Sequence, residues 1–131
     1  MTPQALALQQ RTRDFLSRVI AFCDALPSTH ASRRIIPQLI DSAGSTDSHY
    51  RAACRGRSRK EFIAKIGVAA EEADESMGWL QALLAAGIGS KPETIALINE
   101  ADELTAIFVA SGKTAKRNAK KIKKSSIRER K

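Results

Sequence analysis

The stretch "CRGRSRKEF", Cys54 to Phe62, carries a helix stop and a helix start within a few residues. Gly56 releases one helix. Ser58 opens the next, because Ser58 and Glu61 have capping-box spacing, at which hydroxyl and carboxylate satisfy each other's end-group N–H donors. Outward from this joint the apolar residues recur at three and four, never in long alternation, so both flanks read as helix. Upstream, a helix over about residues 32–56 carries Ile35, Ile36, Leu39, Ile40, Ala43, Tyr50, Ala53 and Cys54 on its inner stripe. Downstream, a helix over about 58–86 carries Phe62, Ile66, Ala69, Ala73, Met77, Leu80 and Leu84, until Gly87, Gly89 and Ser90 stop it.

Two more helices complete the pattern. The first spans about residues 3–25, with Thr2 as cap, Pro3 in the first position and Pro27 beyond its end. The last opens with "SKPE", a second capping-box spacing at Ser90 and Glu93, and runs over 91–112 or beyond. Four helices with short links predict an all-α, up-down-up-down antiparallel four-helix bundle over residues 1–112. Residues 113–131 form a lysine-rich extension, in which helix 4 is expected to continue to about Lys124 and then fray. Helix 2 is the weakest reading. Pro37 has no N–H to donate, so it should sit in the first turn or make a kink. "SAGSTDSH" is poor helix material, but a loop there would leave two very short helices.

With 131 residues the chain has one domain's length. Apolar residues at 43% allow an ordinary core, and aromatics at 5% make it mostly aliphatic. No apolar run is long enough for a membrane span, and the first residues lack a signal-peptide pattern. A cytoplasmic protein with no membrane partner is therefore expected. Cys23 and Cys54 are far apart and read as small buried hydrophobes. The net charge of +8 is uneven: from Lys113 onward ten Lys/Arg face one acid, Glu129, while the first 112 residues are nearly neutral. The high pI thus reports a basic arm rather than a basic domain.

Enzyme chemistry finds no support. The block "EEADE" (Glu71, Glu72, Asp74, Glu75) lacks the histidine that follows a glutamate by three in di-metal bundles. His30 and His49 have no matching partner helix. There is no nucleophile elbow, phosphate loop or dinucleotide fingerprint. No enzyme, cofactor or metal is expected, and the acids should pair with arginines of helix 2 or of a neighbouring subunit.

Two basic features remain. Arg51, Arg55, Arg57, Arg59 and Lys60 span the joint between helices 2 and 3, and arginine forks suit phosphate. Lys116, Arg117, Lys120, Lys121, Lys123 and Lys124 lie in the extension, which has no aromatic ring for base stacking and would neutralise phosphates only. These residues are nucleic-acid-binding candidates; structural salt bridging, or a scaffold that docks a partner protein, is the alternative. A second apolar row on helix 3, with Val68 and Trp79, needs a partner outside the chain's own core. Val68, Glu72, Glu75 and Trp79 are the candidate oligomer interface.

The middle of the chain resembles a known family. Gln38 and Leu39, then Ser42, Ala43 and Ser45, then Tyr50, then Arg55, Arg57, Ser58, Glu61 and Phe62, then Glu72, Ala73, Glu75, Trp79 and Leu80 fit its successive blocks, and "EADEL" (Glu100 to Leu104) fits its fourth helix. The family is that of bacterial four-helix-bundle proteins encoded by intervening sequences of 23S rRNA genes, also called S23 ribosomal proteins. Asp41, His49, Ala52 and Glu71 depart from its usual residues. The resemblance implies an up-down bundle, a homopentamer, no catalysis, and kinship to accessory proteins of diversity-generating retroelements, which engage nucleic acid and a reverse transcriptase.

Overall fold

The computed structural model describes residues 1–130; Lys131, last of the expected extension, lies outside the described residues. The chain forms α1 (Pro3–Asp24), α2 (His30–Cys54), α3 (Arg59–Ala86) and α4 (Lys91–Arg130), with no strand among the described residues.

Each start has a local cause. Thr2 Oγ1 accepts the Ala5 N–H at 3.1 Å, with Pro3 in the first turn of α1. Thr29 and Ser32 form a reciprocal box: Ser32 N–H donates to Thr29 Oγ1 at 3.0 Å and Thr29 N–H to Ser32 Oγ at 2.8 Å. That box starts α2 at His30, two residues earlier than expected. At α3, Ser58 Oγ accepts the Glu61 N–H at 3.1 Å, but the Glu61 carboxylate accepts from Arg57 N–H at 3.0 Å. The box is therefore shifted by one residue on its return arm. Gly87 ends α3 in the left-handed conformation, with φ 71°.

Pro37 lies inside α2, beyond its first turn, and the helix runs on through it. "SAGSTDSH" is helical despite its poor propensity because Ser42, Ala43, Thr46 and Asp47 are buried in the packed bundle, and its hydroxyls find acceptors along the helix itself. Ser42 Oγ donates to the Leu39 carbonyl at 3.1 Å and Thr46 Oγ1 to the Ser42 carbonyl at 2.8 Å. Its small residues also bring α2 close to α3, where Ser42 and Ser76 hydroxyls meet at 2.8 Å. α4 passes Gly112 and Lys124 without a break and reaches Arg130, a 40-residue helix where fraying was expected after Lys124. Gly112 suits a close crossing, since a Cβ there would stand 3.4 Å from Ile66.

Cross-helix pairs fix the directions. Arg11 meets Glu100 while Arg18 meets Glu93, so α1 and α4 run antiparallel. Thr12 meets Asp47 on α2, and Ile66 meets Gly112 on α4. Each helix packs on its sequence neighbours, and α1 closes onto α4, as an up-down-up-down bundle requires. The core holds Phe15, Val19, Leu39, Ala43, Ile66, Leu80, Leu97 and Leu104, with Phe108 stacked on Tyr50 at 5.3 Å. Ile66, Ala69, Ala73 and Leu80 of the expected α3 stripe are buried, but at its end Leu83 is fully buried while Leu84 is half-buried.

Candidate nucleic-acid interface

One end of the bundle gathers the end of α2, the start of α3 and the middle of α4. Arg55, Arg57, Arg59 and Lys60 are all exposed there, and among the described residues none of them has an ion-pair partner. Arg51 differs. It is half-buried, stands 3.9 Å from Asp47 one turn back on its own helix, and its Nε is shielded from solvent without a hydrogen bond. Arg51 thus leans back on a buried carboxylate of its own helix, unlike the four exposed cations.

The pairing expected between the helix 2 arginines and "EEADE" does not form within the chain. The register explains why. Ser76 lies opposite Ser42, so the block is level with the middle of α2, with Glu72 near His49 and Glu71 turned toward α4, while the arginines sit at the end of α2. Glu72 is half-buried, and its carboxyl is raised above the usual range, by burial first and then by Glu75. The ion pairs that do form use other acids: Arg11 with Glu100 and Glu103, Arg18 with Glu93, and Arg13 with Asp47 at 3.0 Å.

Asp47 was missed in the sequence. It is 3% exposed, accepts from Thr12 Oγ1 at 2.8 Å, and anchors Arg13 and Arg51. The signal was present, since Asp47 falls between Ala43 and Tyr50 at four and three on the buried stripe.

The extension comes to the same end as the exposed arginines. Arg59 and Phe62 on α3 share a groove of about 740 Å³ with Ile107, Ala115 and Asn118 on α4. Beyond Asn118 the helix has twelve more described residues, roughly 18 Å of rise, projecting past the start of α3. Lys116, Arg117, Lys120, Lys121, Lys123 and Lys124 are all exposed on this rod. Two features separate in sequence thus share one end of the molecule.

The interface candidates on α3 share a face at spacings of four, three and four. Val68, Glu72 and Trp79 are half-buried and Glu75 is exposed. Trp79 also packs against the core, and its Nε1–H is buried without a hydrogen-bond partner.

The remaining reactive groups are quiet. Cys23 is buried and its thiol is pushed up to about 11, chiefly by burial. Tyr50 is raised by burial and then by its hydrogen bond with Cys54. Among the described residues no cluster of three or more His, Cys, Asp or Glu is placed to hold a metal, and no helix is long and apolar enough to cross a membrane.

No curated protein matches the chain. Among solved structures, a protein of unknown function of the S23 ribosomal protein family from Bacteroides thetaiotaomicron is similar in fold. Its TM-score is 0.75 at 22% sequence identity, over 83% of this chain and 97% of that one. A profile described as 23S rRNA-intervening sequence protein matches residues 4–110, the bundle from α1 through most of the packed part of α4. The chain belongs to the 23S rRNA-intervening sequence protein family.

Proposed function

We propose that the chain is a non-enzymatic, homo-oligomeric helical module, a pentamer by resemblance, that binds nucleic acid through its backbone phosphates. One observation carries the reading: the exposed arginines of the α2–α3 joint and the projecting basic part of α4 lie at one end of the bundle, free of acid partners among the described residues. Uncompensated cations on a rigid frame attract phosphate, and arginine forks match its geometry. Self-association is supported by the half-buried row of Val68, Glu72 and Trp79 and by the unpartnered Trp79 Nε1–H. A filter-binding titration tests the reading with mixed RNA and DNA fragments. Binding at low salt that fades as salt rises is expected; no binding at low salt would sink it. A light-scattering mass close to one chain would refute the oligomer.

A second reading, a scaffold that docks a partner protein, is favoured by the groove lined by Phe62, Ile107 and Ala115. It predicts that nuclease treatment leaves a co-purified protein in place. Loss of the bound material with nuclease counts against it.

A further inference from the structure

We infer that the projecting part of α4 is a duplex-binding helix that lies lengthwise in the major groove of B-form DNA along one basic side, an assignment that rests on the nucleic-acid reading above. The observation is the segregation of charge around a continuous helix. At 100° per residue, the eight cations from Lys113 to Arg128 fall within an arc of roughly 160°. Lys113, Lys120 and Lys124 occupy its centre. Arg117, Lys121 and Arg128 form one flank, and Lys116 and Lys123 the other. Ile127 is the one apolar residue on this side, and it is 48% exposed.

Up to Glu129, itself on the opposite side, that side carries no cation; Arg130, the last residue of α4, falls about 20° outside the basic arc. Ala115, Ala119, Ile122 and Ser126 continue the line of Leu97, Ala101, Leu104 and Phe108, which are buried in the bundle. The neutral side therefore prolongs the face that α4 turns to its own core, and the basic side prolongs the face it turns to solvent. A lysine-rich tail serving solubility alone has no need of such sorting.

The geometry selects the partner. The eight cations span roughly 22 Å of rise. A helix with its side chains is about 10–12 Å across, and the major groove of B-form DNA is about 12 Å wide. The two flanks then reach the phosphate walls of both strands, while the centre faces the base edges. An RNA duplex has a deep, narrow major groove that excludes a helix. Single strands are held by aromatic stacking, and no aromatic residue follows Phe108. A membrane surface wants a broad apolar face, and Ile122 is the only large apolar residue on the neutral side.

The test exchanges neighbours so that charge and composition stay constant while the sorting is lost. The variant carries Ala119→Lys with Lys120→Ala, Ile122→Lys with Lys123→Ile, and Lys124→Ser with Ser125→Lys. All six positions lie beyond the groove shared with α3, and circular dichroism checks that helix content is kept. Fluorescence anisotropy measures the full chain and the variant against a 20-base-pair DNA duplex, one of its single strands, an RNA duplex of the same sequence, and vesicles of phosphatidylserine and phosphatidylcholine. The full chain should bind the DNA duplex at least about tenfold tighter than the other three. The exchanged variant should lose about tenfold or more on the DNA duplex and little on the single strand. Equal binding of duplex and single strand, tighter binding of vesicles or RNA duplex, or an unaffected variant overturns the groove assignment while leaving phosphate binding intact. Absence of binding to every nucleic acid overturns both.

Discussion

Asp47→Ala should destabilise the bundle by about 2–3 kcal/mol. The carboxylate is 3% exposed and joins α1 to α2. Its hydrogen bond from Thr12 Oγ1 at 2.8 Å ends on a charged acceptor, a class that contributes about 1.5–3 kcal/mol. Arg13 stands 3.0 Å away but is about half-exposed, so its ion pair adds only about 0.5–1 kcal/mol. Arg51 at 3.9 Å adds little. The loss is moderated on one side, because Thr12 Oγ1 keeps the Gln9 carbonyl at 2.9 Å as an acceptor. Asp47→Asn keeps an oxygen for Thr12 and removes only the charge, so it should cost about half as much. The assay is urea unfolding followed by circular dichroism. With a slope of about 1–3 kcal/mol/M, the alanine variant should shift the midpoint down by about 0.7–3 M. An alanine variant within about 0.5 kcal/mol of the parent would refute the reasoning, as would an asparagine variant that falls as far as the alanine one.

Phe108→Ala removes a ring that is 1% exposed and stacked on Tyr50. It should cost about 3–5 kcal/mol by thermal or urea unfolding, and a loss below about 2 kcal/mol would contradict the core described. Gly89→Ala should cost more than Gly87→Ala, by about 1 kcal/mol. Both glycines have positive φ, but only at Gly89 would a Cβ strike neighbours, at 2.7 Å from Leu26 and 3.2 Å from Phe22. Equal losses in unfolding midpoint would contradict this. Glu72→Gln tests the carboxyl raised above its ordinary 4.5 by burial and Glu75. The folded state holds that proton more tightly than the unfolded one, so the charged form detracts from stability as pH rises through the window opening at 4.5. The variant's melting temperature should gain on the parent's as pH goes from about 4 to about 8, and a shrinking difference would contradict the assignment.

Most of the fold was legible because its signals are local. Thr2 with Pro3, Ser58 with Glu61, and Gly87 are short-range devices, and each acts near where it was read. The start of α2 was read two residues late, at Ser32, which is the third residue of a box begun by Thr29. Register between helices is not local, and it decided the site. "EEADE" and the arginines are near in sequence across the α2–α3 joint, but antiparallel packing sets Glu72 beside His49 rather than beside Arg55. The same rule hid Asp47, whose partners Thr12 and Arg13 are more than thirty residues away. The length of α4 was underestimated only past its lysines, where the six residues from Ser125 to Arg130 continue the helix beyond Lys124.

Binding through phosphates leaves one quantitative mark, the dependence of affinity on salt. Arg55, Arg57, Arg59, Lys60 and the α4 cations together supply enough charge to neutralise about five to eight phosphates, each adding about −0.9 to the slope of log K against log salt. Titration of nucleic acid with the full chain between about 50 and 300 mM salt should therefore give a slope of roughly −4 to −7. Replacing Arg55 and Arg57 with Ala should flatten it by about one unit for each phosphate that is no longer neutralised. A slope shallower than about −1, or one unchanged in that variant and in a chain cut after Asn118, would contradict phosphate binding at this end of the bundle.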